Sequence, residues 1–438
     1  MRPTRTRPRL IQAMLDAFSL PDLRRRILMT IALLVIFRLI AHVPLPGVDL
    51  DALRNLFERV PLLGMLDMFS GGALRRFSVA AMGVYPYITA SIIVQILVPV
   101  IPNLQALAME GEAGRNKINL ITHWLTVPLA GLQGYGQLMY LKSQGVIGAT
   151  AAFPMTAMVI SMIAGTIFCI WLGELITEYG IGNGISIIIF GGIVAGLPQT
   201  LGQSLLAREN IFGLLVYLII ILATTVFIVI FTEAHRRIPV QYAKSVFRGG
   251  RMYRQAGSTH IPLRVNTAGM IPLIFAMSVV VFPGVVASYF VAPQGAEPNF
   301  ANFIMDVFNP NASLPLGIVY WGLYFLLTVG FAFFYTMVVF QQQDLPGVLQ
   351  KQGGFVPGIR PGGQTKKYLD GVIGHITWAG AIFLALVAIM PFIAQEITGI
   401  RGIQFSSMGL IIVVGVVLDT MKQLEAQLVM RRYEGFIK

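Results

Sequence analysis

Apolar runs long enough to cross a bilayer recur along this chain, and no other feature restricts its fold as strongly. A helix of about 20 apolar residues spans the ~30 Å hydrocarbon core, because each residue advances it by ~1.5 Å. Ten such runs can be drawn, at 27–43, 77–98, 118–141, 154–176, 185–201, 211–232, 268–291, 316–340, 372–394 and 405–424. Barrel strands would be shorter and would alternate in polarity. Only 12% of the 438 residues are charged and 55% are hydrophobic. A soluble chain is about a quarter charged. The expected fold class is therefore an all-α polytopic membrane protein with ten transmembrane helices.

The formal net charge of +12 asks first where the cations lie. Of 32 Lys and Arg, 24 fall in the terminal segments and the loops on their side, 7 fall on the other side, and Arg38 lies within a span. Positive charge collects on the cytoplasmic side, so both termini are expected in the cytoplasm. The basic start followed by an apolar run could be a cleaved signal peptide. Arg38 and the segment Pro44-Leu45-Pro46, with no small-x-small site, instead favour a retained first helix. Two cytoplasmic loops, 234–266 and 341–371, exceed what a connection needs and are basic.

Cutting the chain after the fifth run gives halves 1–206 and 207–438. Five spans per half make any repeat between them inverted. Pro86-Tyr87-Ile88-Thr89-Ala90-Ser91 in the second run is echoed by Pro272-Leu273-Ile274-Phe275-Ala276-Met277-Ser278 in the seventh. Corresponding Pro-interrupted segments in inverted halves point to a pathway at their interface, although a match this short also arises by chance. Just before the second run, the piece 61–72 is apolar, too short to cross, and broken at Ser70-Gly71-Gly72. Such a piece is tolerated only where it is buried in protein or lines a cavity.

Several kinds of chemistry are missing. Carboxylates are nearly absent from the middle of the spans, where ion-coupled carriers place them; Glu174, Glu233 and Asp419 lie near span ends. The five His residues have no metal-ligand spacing, so no metal or other cofactor is expected. Gly180-Ile181-Gly182-Asn183-Gly184 lacks the spacing and the Lys-Ser/Thr pair of a phosphate-binding loop. Those glycines are expected to make a tight turn and let the fifth span approach its neighbours. Cys169 has no partner for a disulfide and reads as a small hydrophobe. The chain shows no fuel site of its own, so any work must come from a partner.

What remains is apolar and structural. Val84, Ile88, Ile185, Ile189, Ile274 and Ile412 are candidate cavity-lining positions, with i, i+4 pairs in the second and fifth spans. Ile at that spacing equally suits core or lipid-facing packing. If the six converge, they form a hydrophobic constriction that blocks ions and water yet yields to a chain pushed through. Thr89, Ser91, Gln95 and Asn266 suit either an interface that opens or ordinary helix–helix glue. The segment 353–363, with five glycines and two prolines, is expected to exclude helix and strand and to project as a turn. It presents Arg360, a donor fork for carboxylates or phosphates.

The motifs MetPheSerGlyGlyAla at 68–73, GlyAsnGlyIleSer at 182–186 and PheValProGlyIleArgProGly at 355–362, with the Pro86 segment, resemble the SecY family of protein-conducting channels. The resemblance covers essentially the whole chain. It implies two five-helix halves closing around an hourglass pore. It also implies a plug at 61–72, comprising Leu62, Leu63, Met65, Leu66, Met68, Phe69, Ser70, Gly71 and Gly72. The pore ring would fall at Val84, Ile88, Ile185, Ile189, Ile274 and Ile412, with Val84 where Ile is common, hence a slightly wider ring. A lateral gate between spans two and three and spans seven and eight, with Thr89, Ser91, Gln95 and Asn266, would admit signal peptides and membrane helices to the lipids. The basic loops, with Lys244, Arg248, Arg251, Arg254 and Arg360, would dock the ribosome or the SecA ATPase, and SecE and SecG would complete the complex. A small-solute transporter also fits inverted halves, but the missing mid-membrane carboxylates and the large basic loops count against it. A membrane-embedded enzyme lacks any catalytic constellation.

Overall fold

The structure is a computed structural model describing residues 20–148, 152–206, 211–248, 251–267, 269, 271–291, 297–309, 316–343, 345–398 and 404–434. The spans of the ten apolar runs are helices α1 (Pro21–Ile40), α4 (Tyr85–Leu97), α6 (Glu112–Ser143), α7 (Ala152–Tyr179), α8 (Gly184–Leu206), α9 (Ile211–Glu233), α10 (Ile271–Ser288), α12 (Leu316–Gln343), α14 (Gly363–Thr398) and α15 (Gln404–Glu434). Shorter helices are α2 (Leu50–Arg59), α3 (Pro61–Phe69), α5 (Pro102–Met109), α11 (Phe300–Val307) and α13 (Leu345–Lys351). Proline occupies the first turn of α1, α3, α4 and α5, where its missing N–H costs nothing and its fixed φ suits the helix.

The exterior is apolar. Leu28, Ile31, Val35 and Leu39 of α1 and Leu222, Val226 and Ile230 of α9 are all exposed. At 3–4 residue spacing each set makes one continuous stripe, a surface that water would penalise and lipid would not. Helices α1, α4, α6, α7 and α8 pack on one another, as do α9, α10, α12, α14 and α15. The two sets meet where α15 packs on α8 and α10 on α4.

Two expectations need correction. The second span is helical only from Tyr85, not from Phe77. Phe77 is buried at a left-handed φ of 42° and Gly83 has φ 51°, so the chain between them turns. Pro44 and Ser78 form an isolated antiparallel bridge, and the Val79 N–H donates to the Val43 carbonyl; this segment is thus tied to the end of α1. At 13 residues, α4 is about 20 Å long and too short to cross alone; α5 bends away from it by 100°.

Outside the helical bundle the long loops add one small sheet. Loop 234–266 is an antiparallel hairpin, β1 (His235–Arg248) with β2 (Arg251–Arg264), paired from His235↔Arg264 to Arg248↔Arg251. Segment 353–363 does not exclude strand. Gly354–Phe355 form β3 and add to β1 opposite Tyr242 and Gln241. Gly354 permits this because a Cβ there would crowd the Tyr242 ring. Val356 is buried with Ile238, Val240, Leu263, Leu349 and Leu369 in one apolar cluster, and Ile359 packs against it. The long loops therefore form one folded platform with its own small core.

Candidate functional site: a sealed centre with a short helix beneath it

The largest buried cluster lies where the two helix sets meet. Val84, Ile88, Ile189 and Ile412 are buried within it, and Ile274 is partly buried against it. Ile185 also packs against this cluster, at its edge, with its side chain close to Gly173 of α7. Glycine is needed at 173 and 184, since a Cβ on Gly184 would overlap the Gly173 carbonyl. With Gly182 at φ 84°, the tight turn and the close approach of α8 both take the form expected of the glycines at 180–184. Six aliphatic positions at four helices thus share one apolar neighbourhood.

Helix α3 sits under this cluster and packs against α8, α10 and α15, helices of both sets. Phe69 is buried at 1% exposure, with its ring 5.6 Å from that of Tyr85 at the start of α4. Leu63 is buried, and Leu66 and Met68 are partly buried. Leu62 and Met65 lie on α3, and their side chains fall outside the described residues. The glycines that follow allow backbone to meet backbone. Gly71 has φ 69° and abuts Gly192 of α8 and the Phe37 ring, and Gly72 has φ 82°. A Cβ on Gly83 would overlap the Cα of Ser70.

Polar contacts fix this piece in three places. Arg38 donates from Nη1 to the Gly71 carbonyl at 2.7 Å. The Asp67 carboxylate pairs with Arg75 Nε at 2.8 Å and accepts the Arg75 backbone N–H at 3.1 Å. Ser70 Oγ donates to the Asp67 backbone carbonyl at 3.0 Å and accepts from the Leu74 N–H at 3.1 Å. Burial pushes the Asp67 carboxyl up from its ordinary value, and the Arg75 guanidinium opposes that push. Arg38 was visible in the sequence as a cation in an apolar run, a costly placement that calls for a partner. Its partner, a carbonyl 33 residues away, was not.

Of the four polar gate candidates, Ser91 and Gln95 are bonded to each other, both on α4. Thr89 Oγ1 donates to the Tyr85 carbonyl at 3.1 Å and lies 3.5 Å from Gln133 Nε2 of α6. Gln95 Nε2 donates to Ser91 Oγ within α4 at 3.1 Å. Asn266 is buried before α10, and its Oδ1 has no hydrogen-bond partner among the described residues. Arg360 is exposed at the edge of the platform, and its carbonyl accepts from Thr365 Oγ1 at 3.0 Å. Lys244, Arg248, Arg251 and Arg254 lie in the outer part of the hairpin, and their side chains fall outside the described residues.

A lipid-facing exterior and a bundle whose aliphatic centre is backed by a short, tethered helix define a multi-span membrane channel. The chain belongs to the SecY family, whose family model matches residues 78–421. It is 42% identical to the protein translocase subunit SecY of Streptomyces lividans, over 98% of this chain and all of the relative. With the same subunit of Thermus thermophilus it shares 40% identity over 98% of each chain. Its fold matches a solved protein-conducting channel with a TM-score of 0.65 at 16% identity, covering 95% of this chain and 97% of the other. It also matches Sec61 from the canine ribosome–channel complex, with a TM-score of 0.61 at 16% identity over the same shares.

Proposed function

We propose that this chain is the central, passive channel of a protein translocase, carrying unfolded secretory polypeptides across the membrane. The carrying observation is α3: a short apolar helix seated under the aliphatic cluster and packed against both helix sets. Such a piece can be withdrawn without unravelling a span. Val84, Ile88, Ile185, Ile189, Ile274 and Ile412 act as the ring. Aliphatic side chains offer ions and water no hydrogen bonds, and they slide past a passing chain without gripping it. Residues 61–72 act as the plug. Residues 1–206 and 207–438 are the two halves, and they part between α4 with α6 and α10 with α12, releasing membrane helices sideways into lipid.

Both termini face the cytoplasm from the cell membrane, a reading that the distribution of Lys and Arg supports. The platform of β1, β2, β3 and Arg360 then projects on the side where a ribosome or the SecA motor supplies the work. SecE and SecG are the further subunits expected. The test is reconstitution with those partners and a secretory precursor, scored by protease protection inside vesicles. Protected precursor that depends on this chain supports the reading, and its absence with correctly inserted protein refutes it.

A further inference from the structure

The tyrosine just beyond α10 is not among the ring, plug or gate positions, yet it joins three elements of the site. Tyr289 packs against both the central cluster and the second cluster around α2 and α6. Its ring lies on Gly136 of α6, so closely that a Cβ there would fall among the ring carbons. Helix α6 belongs to the first helix set and α10 to the second, so this contact crosses the seam between them. Tyr289 also lines a cavity of about 30 Å³ together with Leu63 and Leu66 of α3, Tyr85 of α4 and Gln133 and Gln137 of α6. Both glutamines are buried, and their Oε1 atoms have no hydrogen-bond partner among the described residues. Opening the seam would give them water, so the closed state needs a contact that offsets this cost.

We propose that Tyr289 is a positioning residue that latches the seam. Its ring, seated on Gly136, holds α6 to α10 and walls the crevice behind α3, so that seam and plug are released together. This rests on the channel reading above. The glycine is the seat and the ring is the bolt. Packed interiors do not absorb an added methyl without displacing a neighbour, so Gly136→Ala should lift the ring off α6.

The test uses the reconstituted full complex and two precursors, one with an intact signal peptide and one whose signal is interrupted by a charge. Gly136→Ala and Tyr289→Ala should each raise export of the defective precursor, relative to the intact one, by about tenfold, the range expected for an overpacked or emptied contact. Resting ion conductance should rise in the same variants. Tyr289→Phe, which keeps the ring, should behave as wild type. Gly136→Ala combined with Tyr289→Leu should regain part of the discrimination. An unchanged precursor ratio in both single variants overturns the latch, as does a change in ratio with no change in conductance. Failure of the wild type to export even the intact precursor instead overturns the channel reading. Tyr289→Ala adds no bulk, so it keeps the test decisive if Gly136→Ala does not insert.

Discussion

Removing the Arg38 side-chain charge should make the channel leak. Arg38 reaches 2.7 Å from Nη1 to the Gly71 carbonyl, the point where the plug segment turns back against α1 and α8. A hydrogen bond from a charged donor contributes about 1.5–3 kcal/mol. Arg38 is half-buried, so solvent screening favours the lower end of that range. A loss of about 1.4 kcal/mol is tenfold in an equilibrium. Arg38→Met keeps most of the apolar stem and removes the charged donor, so the plug-open fraction should rise about tenfold. Purified channel in planar bilayers, without precursor or motor, reads this as resting ion conductance. Arg38→Lys retains a donor on a shorter reach and should fall between the two. Conductance that stays within about twofold of wild type, from protein shown to be inserted, would refute the view that this bond holds the plug.

Replacing Ile88 and Ile274 together with glycine should raise resting conductance by opening the aliphatic centre; a flat response removes these positions from the seal. Arg360→Glu should abolish precursor transport while leaving insertion and resting conductance unchanged, because the side chain is exposed on the platform; undiminished transport takes Arg360 out of the docking surface. Gly83→Ala places a Cβ against the Ser70 Cα at a left-handed φ of 51°. It should cost at least ~2 kcal/mol, seen as an earlier loss of helical signal on heating the detergent-solubilised protein; unchanged melting refutes that contact.

The membrane fold was legible because lipid imposes one requirement, an apolar run of fixed length, that composition alone reveals. Interruptions were equally legible. Ser70-Gly71-Gly72 marked the broken piece, and the glycines at 180–184 marked a close approach that Gly173 and Gly184 now make explicit. The helical limits at Phe77 were misplaced because an apolar residue is equally at home in a buried turn, and periodicity says nothing about φ. The strand at Gly354–Phe355 was missed because its partner, Gln241-Tyr242, lies more than 100 residues away; glycine-rich composition speaks only for the isolated segment.

By itself the sequence determined the helical membrane architecture, since an apolar run of spanning length follows from local composition meeting lipid. Only the tertiary structure decided which groups meet: Arg38 with the Gly71 carbonyl, Phe69 with Tyr85, Tyr289 with Gly136. Those pairings depend on how helices distant in sequence come together. A short helix against an aliphatic cluster is held there only by such contacts.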